Sequence, residues 1–341
     1  MRFLRVTPLV LVLTTTLACG SSSSGDEPAA ASSGGGAFPV TIAHKYGSTT
    51  ITAEPKRIVT VGLTEQDPLV ALGVVPVATT EWLGGYPGAI GPWAQPKLGG
   101  AAPPEVLKDA GDGPQFEKIA ALKPDLILGL YSGLTKEAYG TLSQIAPTVA
   151  QPAAYGDYGI PWQELTEKVG QAVGKPEQAK QLVQDAEAAF TAAKQANPAF
   201  AGKTALMATP YDGIFVYGSE DPRSRMLTSL GFSLPADLDK VLGDKVGANI
   251  SRERTDLLDR DALVWIVPNV ADDAKKLHGD SVYNGLNVVK QGREVYIDET
   301  GDYGNAISFV SALSLPYVLE RLVPQLAAAA DGNPATPVTP A

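Results

Sequence analysis

The chain has 341 residues, 44% of them hydrophobic, with 27 basic against 37 acidic side chains and a net charge of −10. That is length for roughly two domains with substantial cores, too apolar for a disordered protein, and the wrong sign of charge for a partner of nucleic acid or anionic lipid. One cysteine and two histidines exclude an internal disulfide framework and a Cys-cluster metal site, and leave little for a zinc or manganese cage.

Arg2 and Arg5 precede an uncharged apolar stretch, Val6 to Ala18. It is too short to span a bilayer as a helix, so residues 1–18 read as a secretory signal. The stretch ends Thr16-Leu17-Ala18-Cys19-Gly20. A small residue before the cysteine and a Ser/Gly run after it resemble a bacterial lipobox, with Thr16 where lipoboxes usually carry Leu. In that reading Cys19 is the lipidated first residue of the mature protein, which anchors it to the cell membrane on the extracytoplasmic face. Residues 20–37 carry no aromatic side chain and cannot bury enough surface to offset their ordering entropy, so residues 19–38 are expected to be a flexible tether.

From Val40 onward, β-rich runs alternate with helical stretches, the pattern of a parallel-sheet α/β protein. The segment Thr41–Thr52, with His44, reads as a hairpin or edge strand. Strands are predicted at Ile58–Leu63, Leu126–Tyr131, Ala205–Ala208, Ile214–Tyr217, Leu263–Val267 and Glu294–Ile297. Helices are predicted at Asp67–Leu72, Thr135–Ile145, Trp162–Val173, Pro176–Ala196, Arg223–Leu230 and Ile307–Ala330. The segment Pro176–Ala196 is dense in helix formers, starts on a proline suited to the first helical position, and ends at Asn197-Pro198. At 1.5 Å per residue it makes a rod about 30 Å long, placed mid-chain where it could join two lobes. The predicted division is an N-terminal lobe at 39–160, a helical region at 161–198, a C-terminal lobe at 199–330 and a Pro-rich tail at 331–341.

An internal repeat supports two lobes. Glu117-Lys118 opens a predicted short helix, with Leu122 five and Asp125 eight residues after the Glu, and a buried strand follows. Glu253-Arg254 does the same, with Leu258 and Asp261 at the same offsets. Enzyme signatures are missing: there is no G-x-S-x-G, H-E-x-x-H or G-x-G-x-x-G, and two near misses to a phosphate loop, at Gly170–Lys175 and Gly202-Lys203-Thr204, lack required residues. His44, and His278 in what reads as a polar loop, are expected to be solvated or structural. Trp265, inside a predicted strand, is expected in the core.

Several stretches together resemble the substrate-binding lipoproteins of iron–siderophore, haem and cobalamin ABC importers. They are Glu54–Gly62, Ala71–Val77, Phe116–Leu128, Ile145–Val149, Asn249–Glu253 and Lys290–Tyr296, in the family's order and spacing. The resemblance implies two α/β lobes joined by a single long helix with ligand in the cleft between them, the class III periplasmic-binding-protein type. It implies an iron–siderophore receptor that does no chemistry, holds no cofactor or metal site of its own, works as a monomer and delivers its ligand to an ABC permease. Haem or cobalamin binding is the alternative within the family, and an exported siderophore hydrolase the rival outside it. One surface glutamate per lobe meets permease arginines in the family; the matching positions are Glu117 and Glu253, and Arg–carboxylate pairs suit reversible docking.

Ligands of open α/β lobes sit beyond the carboxyl ends of the strands. The loops there nominate Thr64, Glu65, Trp82, Tyr86, Tyr131 and Ser132 in the first lobe, then Tyr155 and Tyr158 ahead of the long helix. The second lobe adds Tyr211, Arg223, Arg225, Arg252 and Tyr303. Aromatics offer flat apolar contact and arginines attract an anionic chelate. The competing explanation for Arg223 and Arg225 is a surface pairing with Glu220 or Asp221.

Overall fold

A computed structural model of the chain describes residues 37–108, 113–243 and 245–341; the predicted signal, Cys19 and nearly all of the tether lie outside the described residues. The described chain opens on an antiparallel hairpin of β1 (Val40–His44) and β2 (Gly47–Ile51). Ile42 and Ile51 point into the core, and His44 is buried against Thr49 Oγ1 at 3.0 Å. Burial holds its imidazole pKa below the ordinary value, so His44 is structural.

The N-terminal sheet is built from β3 (Ile58–Thr60), β4 (Ala78–Thr80), β5 (Glu105–Leu107), β6 (Leu126–Gly129) and β7 (Thr148–Ala150). Helices α1 (Gln66–Ala71), α2 (Phe116–Ala121) and α3 (Lys136–Ile145) connect them. The strand order is β5-β4-β3-β6-β7, all parallel. Alternate residues feed two cores: Ile58, Leu126 and Leu128 on one face, Val59 and Ile127 on the other. Burial on both faces is why these strands read as unbroken apolar runs. The ladders of β3 and β6 end earlier than the predicted strands, because the chain turns there into the loops described below. β4, β5 and β7 were not predicted; at three residues each they carry no periodicity to read.

Two antiparallel helices follow, α4 (Trp162–Ala172) and α5 (Pro176–Ala196). The buried residues of α5 recur at helical spacing as Ala179, Val183, Ala186 and Phe190. Ala179 packs into the N-terminal core, whereas Val183, Ala186 and Phe190 belong to a core of the second half. The long helix therefore joins the lobes through its own apolar stripe.

The second sheet contains β8 (Ala205–Thr209), β9 (Ile214–Tyr217), β10 (Gly247–Ile250), β11 (Ala262–Val267) and β12 (Glu294–Asp298). Its helices are α6 (Pro222–Ser229), α7 (Leu238–Leu242), α8 (Val270–Gly279), α9 (Asn287–Lys290), α10 (Asp302–Phe309) and α11 (Ser314–Ala330). The order is β10-β9-β8-β11-β12, the same as in the first sheet counted from each sheet's own first strand, with β9 reversed. Trp265 is fully buried and donates to the Tyr283 hydroxyl at 2.7 Å. His278 lies on α8, not in a loop, and bonds Glu294 at 2.9 Å. The helix was missed because only Leu277 of its residues is buried.

The predicted helix Ile307–Ala330 is broken. α10 and α11 meet at a bend of 114°. Val310 sits in the left-handed region at φ 42°, costly for a β-branched residue. The next helix restarts through a reciprocal pair: Ser311 N–H donates to Ser314 Oγ at 2.9 Å and Ser314 N–H donates to Ser311 Oγ at 3.0 Å. The Pro-rich tail lies back on α11, where Gln325 Nε2 donates to the Thr339 carbonyl at 3.0 Å.

Candidate functional site

In each sheet the order reverses beside the first strand, between β3 and β4 on one side and β6 on the other in the N-terminal lobe, and ligand crevices form outside the carboxyl ends at such points. Here the loop after β3 and the loop after β6 are knotted together by Glu65. The side chain is 0% exposed, and its two oxygens accept from the backbone of Thr64 at 3.1 Å and Tyr131 at 2.7 Å. Burial pushes its carboxyl pKa up to about 7 against these hydrogen bonds. Thr64 and Ser132 are buried as well, with Ser132 Oγ donating to the Gly129 carbonyl at 2.7 Å. These three nominated residues build the floor beneath the site and present no open side chain to it.

Above the floor, aromatic rings from both lobes meet. Trp82 lies 6.1 Å from Tyr131 and 5.1 Å from Phe309 on α10. Tyr131 takes Tyr158 edge-on at 5.6 Å. Tyr131 also lies near enough to Arg223, Asp221 and Tyr217 of the other lobe to feel their charges; burial is the larger effect and holds its hydroxyl protonated far above neutral pH. Tyr86 stands edge-on to Trp93 at 5.9 Å, and its hydroxyl donates to Asp302 at 2.8 Å while accepting from Asn305 at 3.1 Å. Tyr158 is 41% exposed with φ +63°, an uncommon backbone state that sites tend to hold.

The basic residues are already engaged. Arg223 Nε and Nη2 each reach a different oxygen of Asp221 at 2.8 Å, and the guanidinium lies 3.9 Å from the Tyr217 ring centre. Burial opposes the charge, but Asp221 and Tyr217 outweigh it and raise the pKa. Arg225 Nη1 crosses to the N-terminal lobe and donates to the Gly159 carbonyl at 2.7 Å, with its head over Tyr155 at 5.6 Å. Tyr155 spends its hydroxyl on Glu164 at 2.7 Å.

Three nominated residues lie elsewhere. Tyr303 is 9% exposed, sits in the C-terminal core and donates to Gln325 Oε1 at 2.9 Å, so it is a packing residue. Arg252 forms an exposed ion pair with Asp280 of its own lobe at 3.0 Å. Tyr211, 71% exposed, stands at the turn between β8 and β9 with no ring against it among the described residues. Conversely, Trp93, Tyr217, Asp302, Asn305 and Phe309 joined the seam unannounced. Trp93 follows Trp82 and Tyr86 along the same stretch of the first lobe; the others come from the second lobe, Tyr217 from the end of β9 and Asp302, Asn305 and Phe309 from α10.

Glu117 and Glu253 are both exposed in the first turn of their short helices, an α-helix in the first lobe and a 3-10 helix, Arg252–Leu258, in the second. A separate pocket of about 510 Å³ opens at the carboxyl ends of the N-terminal strands, lined by Val61, Leu63, Leu107, Phe116, Leu134 and Tyr158 among others. Tyr158 is shared by pocket and seam.

Comparison with known proteins fits this architecture. Residues 58–300 match the family described as periplasmic binding protein. The chain is 28% identical over 282 residues to the "probable siderophore-binding lipoprotein YfiY" of Bacillus subtilis (strain 168), covering 76% of this chain and 80% of the relative. Among solved structures it is similar to a periplasmic solute binding protein from Mycobacterium smegmatis, at 37% identity and a TM-score of 0.73, covering 84% of this chain and 97% of that one. It is also similar to PiaA of Streptococcus pneumoniae TIGR4 in complex with ferrichrome, at 26% identity and a TM-score of 0.75, covering 86% and 99%.

Proposed function

The chain belongs to the periplasmic binding protein family, and on that premise we propose that it captures a ferric siderophore between its lobes and delivers it to an ABC importer. The observation that carries this reading is the two-lobe aromatic seam, in which Trp82, Tyr86, Tyr131 and Tyr158 of one lobe face Tyr217, Arg223 and Phe309 of the other. Flat rings presented by both lobes suit a bulky chelate that needs contact area rather than chemistry. The buried, protonated Tyr131 phenol is a poor ligand for bare Fe(III) but a good hydrogen-bond donor to a chelate oxygen. Iron then arrives already wrapped, and the protein performs no reaction. Relatives named for siderophore binding and for lipoprotein character support the same reading. In this reading the protein acts as a monomer, held at the cell membrane through lipidated Cys19.

Intrinsic tryptophan fluorescence tests it. Ferric siderophores should quench the emission saturably, and Trp82→Ala should weaken binding about tenfold or more, as truncating an aromatic anchor does. If no ferric siderophore quenches, the reading falls. Glu117 and Glu253 are assigned to permease docking. The double change Glu117→Ala, Glu253→Ala should abolish uptake by cells while leaving fluorescence-measured affinity intact; undiminished uptake removes the docking role.

A further inference from the structure

Resting on the siderophore reading, we infer that the seam accepts ferric chelates that carry no net negative charge, the hydroxamate type, and rejects anionic ones. The argument is about charge already placed. Arg223 looks like an anion receptor in the sequence, yet the Nε/Nη2 edge of its guanidinium is already filled by Asp221 through two 2.8 Å bonds. Asp221 is itself buried and serves as the N-cap of α6, accepting from Arg223 N–H at 2.8 Å. The Arg223 charge is thus already matched by a buried carboxylate, and the pair brings no net positive charge to the seam. Arg225 has its Nη1 on the Gly159 carbonyl and its head over Tyr155, with Glu220 close enough to act on its charge. On the opposite side Asp302 accepts from Tyr86 and pairs with no Lys or Arg among the described residues. The formal charges of Arg223 and Arg225 stand against those of Asp221, Glu220 and Asp302, so the local balance is negative.

Chelate chemistry decides what can enter such a seam. A tris-hydroxamate gives up three protons to Fe(III) and ends uncharged. A tris-catecholate gives up six and ends with three negative charges. Only the first meets this seam without adding negative charge beside Asp221 and Asp302.

The test uses the full chain purified in detergent and tryptophan quenching at physiological salt. The probes are ferrichrome (an uncharged ferric hydroxamate), ferric enterobactin (a tris-catecholate) and Fe(3+) dicitrate. Ferrichrome should bind about 100-fold more tightly than either anion, the discrimination like-charge contacts provide. Anions that bind as tightly as ferrichrome, or more so, overturn the inference while leaving siderophore capture standing; if none of the three binds, capture itself falls and this inference with it. Asp221→Asn supplies the second arm. Asparagine keeps the helix cap and removes the charge that holds Arg223, so the ferrichrome-to-enterobactin ratio should shrink about tenfold. A folded variant with an unchanged ratio counts against the inference; should it fail to fold, the parent's ratio alone decides.

Discussion

Asp125 and Asp261 show how a single side chain can register a strand. Asp125 takes the backbone N–H groups of Lys56 and Arg57, each at 2.8 Å, just ahead of β3. Asp261 takes the N–H of Thr204 at 2.8 Å and its hydroxyl at 3.1 Å, just ahead of β8. In both lobes the carboxylate therefore sits at the start of one central strand and pins the start of its neighbour. Charge-assisted bonds of this kind contribute about 1.5–3 kcal/mol where the group is shielded and less where water competes. Asp125→Ala and Asp261→Ala are each expected to lower stability by about 1–2 kcal/mol in urea unfolding, and to add within about 0.5 kcal/mol when combined, because the sites share no partner. A loss in one lobe only would mean the repeat is not a shared device. The sequence spacing showed this pair, since the Asp recurs eight residues after the Glu in both halves. What the Asp does was hidden, because its partners lie 57 to 69 residues away. Arg223 is the converse case: its partner Asp221 stands two residues before it, so the pairing was legible and only its consequence for the ligand was not.

At the scale of elements, the junction of α4 and α5 depends on the absence of one methyl group. The two helices turn back on each other at Val173-Gly174, with Gly174 at φ +71° and Lys175 N–H donating to the Gly170 carbonyl at 2.7 Å, the form of a glycine-ended helix. Gly170 then faces Ala179 so closely that an added Cβ would lie 2.3 Å from the Ala179 Cβ. Gly170→Ala should therefore overpack the joint and cost about 1–3 kcal/mol despite the better helix propensity of alanine. Guanidinium or urea melts would show a lower midpoint; a rise would mean the helices part freely. Of the elements, α5 was the most legible, since its proline start, its helix formers and its apolar stripe all agree. The break between α10 and α11 was opaque, because it comes from two serines capping each other and from Val310 in a state its own propensity disfavours.

The whole molecule is held by cross-lobe ties that no local pattern announces. Besides α5 and the Arg225–Gly159 and Tyr86–Asp302 bonds, the deepest tie is Asp67 on α1. It is 0% exposed, accepts from Trp93 Nε1 at 2.7 Å and from the Ser311 hydroxyl 244 residues away, and leaves its other oxygen without a partner. Burial outweighs those hydrogen bonds and pushes its pKa up to about 6, while Glu65 rises to about 7. For a carboxyl whose folded pKa lies above its unfolded one, the folded state holds the proton more tightly. The contribution to stability is therefore complete below the unfolded value near 4 and fades as pH rises through 6 to 7. These two groups together should make the protein less stable at pH 8 than at pH 5 by roughly 2–4 kcal/mol. His44, held below its ordinary value by burial, works in the other direction, so the parent is best compared with a variant at each pH. Asp67→Asn keeps one oxygen for Trp93 and Ser311, places its amide where the unpartnered oxygen lies, and cannot ionise. In urea unfolding its loss of stability between pH 5 and pH 8 should be smaller than the parent's by about 1–2 kcal/mol. An identical pH slope in the two proteins would show that Asp67 does not titrate across this range, and that the tie between the lobes is indifferent to pH.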